Sequence, residues 1–205
     1  MTPLPDPPSG LVVVKVGGSL FDRPDLGPGL RDWLDSLDAP KVLLVAGGGP
    51  VVDVVRDLDN LHSLGEEAAH DLALAGTHLA AHFLRGLLGL PPDAWTPALE
   101  WWSAREHRVF LLGCWGFLQQ YENVFGPVPH TWDLTSDSIA AYAAAVAKAR
   151  LVLLKSVDVP PGTPWGEAAA RGWVDPHFPA VVAAHGLRVE VVNFRRWLDE
   201  WAAQD

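Results

Sequence analysis

The chain has 205 residues, 49% of them apolar, and a formal net charge of −10 at neutral pH. That length allows one domain or a compact pair with a large core, and the acidic balance argues against general binding to nucleic acid or to an anionic membrane surface. A single cysteine, Cys114, excludes an intrachain disulfide and fits a reducing compartment; with no apolar run as long as a membrane span, a cytoplasmic protein is expected.

Residues 1–10 are proline-rich and carry neither a basic n-region nor an apolar h-region, so they read as a flexible leader. Residues 11–205 then form a single domain. The apolar run 11–14 reads as a buried strand. It enters Lys15-Val16-Gly17-Gly18-Ser19, and an amphipathic segment follows. Adjacent glycines after a strand let backbone come close to a ligand, and amide N–H groups just ahead of a helix attract anions. A tight turn beside a solvated lysine explains this stretch equally well.

Leu26, Leu30, Trp33, Leu34 and Leu37 recur at helical spacing, which predicts a helix covering a sheet. A second strand, 41–45, ends in Ala46-Gly47-Gly48-Gly49-Pro50. Three consecutive glycines carry an entropic cost, which favours the reading of close backbone approach. Two strand–glycine–helix units place two phosphate-facing corners at one edge of a parallel sheet, the usual ligand edge of open α/β sheets. Neither corner has Walker A or G-x-G-x-x-G spacing.

Val51, Val54, Val55, Leu58 and Leu61 form the next helical stripe. A longer helix spans about 66–88 with the stripe Ala69, Leu72, Gly76, Leu79, Phe83 and Leu87, and with small residues that permit close approach. His70, His78 and His82 share it; they read as solvated or hydrogen-bonded, because no acidic or cysteine partner completes a metal set. Residues 89–95 form a loop, 95–102 a short aromatic helix or lid, 109–112 a strand, and 119–129 a loop. Cys114 reads as a small buried apolar side chain, and Trp101-Trp102 as burial or an interface.

Thr135 and Ser136 suit a helix N-terminus, followed by a helix with Ile139, Tyr142, Ala143 and Val146 on one face. Asp137 falls in its first turn, where the helix dipole favours a carboxylate. Two roles stay open for it: a cap, or a carboxylate that holds a catalytic lysine beside phosphates. A strand at 151–154 is followed by Lys155 and Asp158. A Pro/Gly-rich connection spans 160–172. A short helix near 181–184, a strand at 189–192 and a helix with Trp197, Leu198 and Trp201 on its apolar side end the chain. Alternating strands and helices predict an α/β fold with a mostly parallel sheet.

Taken together, Lys15-x-Gly17-Gly18-Ser19, Gly47-Gly48-Gly49, Thr135-Ser136-Asp137 and a strand ending in Val157-Asp158 resemble the amino acid kinase family, from Val12 to about Asn193. Within it, other stretches look most like the small phosphate kinases of methanofuran biosynthesis. These are Asp53-Val54-Val55-Arg56 after the triple glycine, His130-Thr131-Trp132 ahead of Thr135-Ser136-Asp137-Ser138, Val174-Asp175 with Phe178-Pro179, and Val191-Val192-Asn193.

The resemblance implies a three-layer αβα sandwich, ATP and Mg²⁺ as cofactors, and a homodimer. It implies that Lys15 contacts the transferred phosphoryl group and that Asp137 orients Lys15. Gly17, Gly18, Ser19, Gly47, Gly48, Gly49 and Asp158 would serve the nucleotide and its phosphates. Asp53, Arg56, His130, Trp132, Thr135 and Ser136 would face the acceptor. That acceptor is a small phosphorylated alcohol, a furan precursor of a methanofuran-type one-carbon cofactor, and the product is a diphosphate.

The chain departs from the family after its 151–154 strand, where relatives carry a glycine-containing turn and this chain has Lys155-Ser156-Val157-Asp158-Val159-Pro160. A second phosphate lysine is also missing near Phe178-Pro179-Ala180. Either Lys155 supplies that charge as a third catalytic residue, or it is a strand-end surface lysine beside a degraded nucleotide site. The second case would make the chain a non-catalytic nucleotide- or anion-binding homologue.

Overall fold

The computed structural model describes residues 9–96 and 107–204. Its strands are β1 (Val12–Val16), β2 (Val42–Ala46), β3 (Trp95–Thr96), β4 (Val109–Leu112), β5 (Arg150–Lys155) and β6 (Val189–Asn193). They form one sheet in the order β3-β4-β2-β1-β5-β6, with every neighbouring pair parallel. Strands buried on both faces read as unbroken apolar runs, and β1 and β2 are buried at every position.

The helices are α1 (Leu26–Ser36), α2 (Gly49–His62), α3 (Glu66–Leu88), α4 (Cys114–Phe125), α5 (Ser136–Val146), α6 (Trp165–Ala170), α7 (Phe178–His185) and α8 (Phe194–Ala202). They sandwich the sheet. Val12, Val14 and Val16 join Leu30, Leu84 and Leu198 in one core, so α1, α3 and α8 cover that face. Val13 and Leu43 join Phe117, Ile139 and Phe178 in the other, so α4, α5 and α7 cover the second face. The two-residue period of a strand makes this division. It sends Lys15 to the α5 face, the side of Val13.

The strands expected from the sequence all form, with ends shifted by one or two residues. Three elements differ from expectation. Residues 119–129 are not a loop from their start: α4 runs to Phe125, because Phe117, Leu118 and Tyr121 bury a helical stripe that the following prolines obscure. The connection 160–172 contains α6, and Trp95–Thr96 adds a short edge strand. The aromatic segment after Thr96, with Trp101 and Trp102, lies outside the described residues, as does most of the leader.

Two apolar stripes face away from where the core lies. Val54, Leu58 and Leu61 of α2 and Leu72, Leu79 and Phe83 of α3 are exposed, Leu61 by 75%. On α2 only Val52 is buried, and α3 buries Ala69 and Gly76 of the expected stripe together with Leu74, Ala80, Ala81, Leu84 and Leu88 from outside it. The reason is layering: α2 packs on α3 rather than on the sheet. A Cβ on Gly76 would lie 2.8 Å from Val52 Cγ2, so the small residues of α3 do admit a neighbour closely. Cys114 is buried as expected, and burial pushes its thiol up to about 11.

Candidate active site

The carboxyl ends of β1, β2 and β5 lie side by side, and the two glycine corners leave the sheet there. Gly17 N–H donates to Leu154 O at 2.9 Å, and Gly47 N–H donates to Val16 O at 2.8 Å. A Cβ on Gly18 would stand 2.1 Å from Gly49 N, and one on Gly47 would stand 2.5 Å from Gly18 N. The absence of side chains therefore lets the two corners touch each other. Close approach of a ligand, the reason read from the sequence, is only part of the explanation. Gly49 also needs its left-handed backbone, φ +55°.

These corners floor an open cleft of about 770 Å³ whose walls include Lys15, Ser19, Lys155, Ser156, Arg171 and Arg195. Lys15 pairs with Leu153 across the β1–β5 ladder, so Lys155, two residues on, emerges on the same sheet face. Both lysines are buried, and both reach one carboxylate. Lys15 Nζ lies 3.0 Å from Asp137 Oδ1. Lys155 Nζ donates to Asp137 Oδ1 at 2.8 Å and to Oδ2 at 2.7 Å.

Burial by itself would raise the Asp137 pKa, but the two ammonium groups overcome it and hold the carboxyl at about 2. One carboxylate does not satisfy two ammoniums. Burial and the like charge of Lys15 outweigh Asp137 at Lys155 and bring it down to about 8. These three groups by themselves carry one surplus positive charge beside the cleft, a setting that attracts phosphoryl oxygens; the N–H groups of Gly17 and Gly47, expected from the sequence to face phosphates, are instead spent on Leu154 O and Val16 O.

A second, more enclosed cavity of about 100 Å³ adjoins the cleft and shares Gly48, Gly49, Asp53, Arg56 and Ser136 with it. Its other walls include Trp132, Thr135, Leu134, Ile139 and His70. Trp132 is fixed on two sides: Nε1 donates to Asp59 Oδ2 at 2.9 Å, and the Arg56 guanidinium lies 4.7 Å from its ring centre. Arg56 also pairs with Asp53 at 3.3 Å. His70 is buried with Nε2 unpartnered; burial, then the neighbouring His130, lowers its pKa.

The structure therefore brings most of the residues singled out from sequence around these two connected spaces. Two fall elsewhere. Asp158 is not among the cleft walls; it is exposed and ion-paired to Arg196 at 2.8 Å. His130 is one layer behind the cavity, stacked on His70 and bonded to Glu122 at 3.0 Å. Ser19 meets Ser156 hydroxyl to hydroxyl at 2.8 Å. Thr135 holds the N-cap position of α5, yet its hydroxyl donates to Asp175 rather than capping its own helix.

Sequence reasoning missed Arg171 and Arg195 as site residues, and it named Ser156 and Asp175 only within the altered turn and a resembling stretch, with no role for either. The Arg195 guanidinium donates to Asp22 and to Ser19 O at 2.8 Å, which ties α8 to the first corner. Only Asp175 had a visible signal, an acidic residue just before a proline and a helix start. Among the described residues no group of three or more His, Cys, Asp or Glu is arranged to hold a metal ion, and Asp137 is already taken by two lysines. The described residues offer no Mg²⁺ cage of their own.

Residues 10–159 match the model of the amino acid kinase family. The [5-(aminomethyl)furan-3-yl]methyl phosphate kinase of Methanocaldococcus jannaschii is 24% identical over 143 residues, which are 69% of this chain and 63% of that protein's length. Among solved structures, uridylate kinase from Archaeoglobus fulgidus superposes with a TM-score of 0.64 at 15% identity, covering 93% of this chain and 95% of its own. Aspartate kinase from Synechocystis gives 0.59 at 15% identity, over 88% of this chain and 38% of its own. At such identities the solved structures bear on the fold alone.

Proposed function

This chain belongs to the amino acid kinase family, and from that premise we propose that it is an ATP-dependent phosphotransferase whose acceptor is a small phosphate monoester. The observation that carries this reading is the meeting of Lys15, Lys155 and Asp137 with two touching glycine corners at one cleft. An oxygen of the acceptor phosphate attacks the γ-phosphorus. The bond to the bridging oxygen breaks, ADP leaves with that electron pair, and the product is a diphosphate. The protein's part is positioning and charge stabilisation. Lys15 and Lys155 serve the oxygens of the transferred group, the corner backbone beyond Gly17 and Gly47, whose own N–H groups are spent in the sheet, lies along the flanking phosphates, and Asp137 keeps the two lysines in register. Mg²⁺, which the described residues do not hold by themselves, would arrive with the nucleotide and supply further charge neutralisation.

The size of the inner cavity, about 100 Å³ against about 770 Å³ for the cleft, favours a compact acceptor over a nucleotide. Its walls mix Trp132, Leu134 and Ile139 with Thr135, Ser136 and Arg56, which suits a small ring bearing a few polar groups. Arg56 stands where the two spaces join and is suited to the acceptor's phosphate. The furan phosphate named for the Methanocaldococcus relative is the first candidate acceptor. The expected homodimer has a surface to use: the exposed apolar faces of α2 and α3, with Leu61, Leu79 and Phe83. On this reading Leu61→Glu with Leu79→Glu halves the sedimenting mass; an unchanged mass assigns that face elsewhere.

ADP release is measured with ATP, Mg²⁺ and a panel of small phosphate monoesters, nucleoside monophosphates among them. The reading expects turnover with a compact monoester and its loss in Lys15→Met. The altered turn after β5, where Asp158 faces Arg196 rather than the cleft, favours the rival, a nucleotide- or anion-binding homologue without catalysis. Nucleotide binding with no turnover for any acceptor would establish that rival.

A further inference from the structure

Asp175 lies just ahead of α7, yet its side chain reaches the start of α5. Oδ2 accepts from Thr135 N at 3.1 Å, Thr135 Oγ1 at 2.9 Å and Ser138 N at 2.9 Å. Oδ1 accepts from Ser138 Oγ and from Phe178 N at 2.9 Å. The carboxylate is only 7% exposed. It does for α5 what an N-cap side chain does, taking the N–H of the third helical residue, and it takes the first N–H of α7 as well.

A neutral side chain would be enough for a cap. Thr135 occupies the N-cap position and carries a suitable hydroxyl, but that hydroxyl is turned to Asp175. Burying a carboxylate where a hydroxyl would serve is unfavourable unless the charge has a use. The use lies close by. Asp137 is flanked by Thr135 and Ser138, the two residues Asp175 grips. The Lys15–Asp137–Lys155 group has two positive charges and one negative, and Asp175 brings the sum to zero.

We propose that Asp175 is the positioning residue of the phosphoryl-transfer site: by clamping the first turn of α5 against the start of α7, it fixes where Asp137 stands between Lys15 and Lys155, and its charge offsets the surplus positive charge of that group. The link to turnover rests on the kinase reading; the clamp and its effect on Lys155 do not. The charged groups that act on Lys155 are Lys15 from β1, Asp137 from α5 and, as the weakest of them, Asp175 from the α7 side, whose field favours the charged form. Burial raises the phenol of Tyr142 on α5, and the charge of Asp175 adds to that rise.

The test reads Lys155 directly. In the ligand-free full chain its side-chain NMR signal, assigned by its loss in Lys155→Met, is titrated with pH in wild type, Asp175→Asn and Ser138→Ala. The expected result is an apparent Lys155 pKa lower by about half a unit or more in Asp175→Asn, with Ser138→Ala unchanged. An Asp175→Asn titration that overlays wild type overturns the proposal, and so does an equal shift in Ser138→Ala, which keeps the charge.

If Asp175→Asn fails to fold, Thr135→Val with Ser138→Ala is measured instead. It loosens the clamp and leaves every charge in place. About a tenfold loss of kcat with little change in the KM for ATP is expected, since small misplacements of reacting groups are costly; unchanged kcat overturns the proposal. A wild-type chain that turns over no acceptor sinks the kinase reading and leaves the Lys155 titration to judge the clamp alone.

Discussion

Two carboxylates lie on either side of the same helical turn, and they are buried to nearly the same degree, Asp137 by 95% and Asp175 by 93% (exposures of 5% and 7%). Their surroundings differ in kind. Asp137 meets two ammonium groups and is held at about 2. Asp175 meets only uncharged donors; its burial, and then the charge of Asp137, raise its pKa despite the hydrogen bonds. Equal burial thus gives opposite shifts, because a full opposite charge nearby outweighs desolvation and a set of dipoles here does not. On the proposed reading the first carboxylate belongs to the chemistry and the second to its support.

The contrast breaks most sharply at Asp137. Asp137→Asn removes the one carboxylate that both buried lysines contact, and removing one partner of a buried pair costs about 3–5 kcal/mol. Urea denaturation is expected to show a loss of that size together with loss of turnover. If stability is unchanged, the two lysines are not held as ammoniums. Next in size is Lys155→Ala, expected to lower kcat by about 10²-fold, the scale of removing one preorganised charge donor. Unchanged turnover would remove Lys155 from the mechanism and leave Lys15 to act alone.

Acid separates the two groups by sign. Asp137 has a depressed folded-state pKa, so its contribution is present above the ordinary value of 3.8 and is lost as pH falls through about 2. The shift corresponds to about 2 kcal/mol. Asp175 is raised, so the folded state takes up its proton first, and that linkage favours folding as pH falls through the raised value. Thermal melts of wild type and Asp137→Asn between pH 5 and 2 check this: the variant is expected to lose less over that range.

Alkali addresses Lys155. Its pKa of about 8 in the free protein predicts that kcat/KM declines above that pH, while kcat declines at higher pH because bound phosphates favour the ammonium. Coincident limbs would mean that no anion sits beside Lys155. The smallest expected effect is that of Ser138→Ala, which removes one uncharged donor from Asp175 and costs about 1 kcal/mol.

Much of this was legible in the sequence. The strands at β1, β2, β4, β5 and β6 showed as short apolar runs, and Lys15 and both glycine corners stood at their ends. The relation between Lys155 and Asp137 was not legible, because it depends on β5 lying beside β1 in a register that puts Lys155 on the α5 face. Asp175 was harder still: it reaches Thr135 across 40 residues, a distance no local pattern encodes. The stripes of α2 and α3 were visible as stripes, but periodicity does not tell which neighbour covers a face.

The contact between Gly18 and Gly49 has a lasting consequence for how such a protein can change. Neither corner can gain even a methyl group without pushing the other aside, so the floor of the cleft is closed to gradual variation. On the proposed reading, a change of acceptor would have to come from the walls instead, at Arg56, Trp132 and their neighbours.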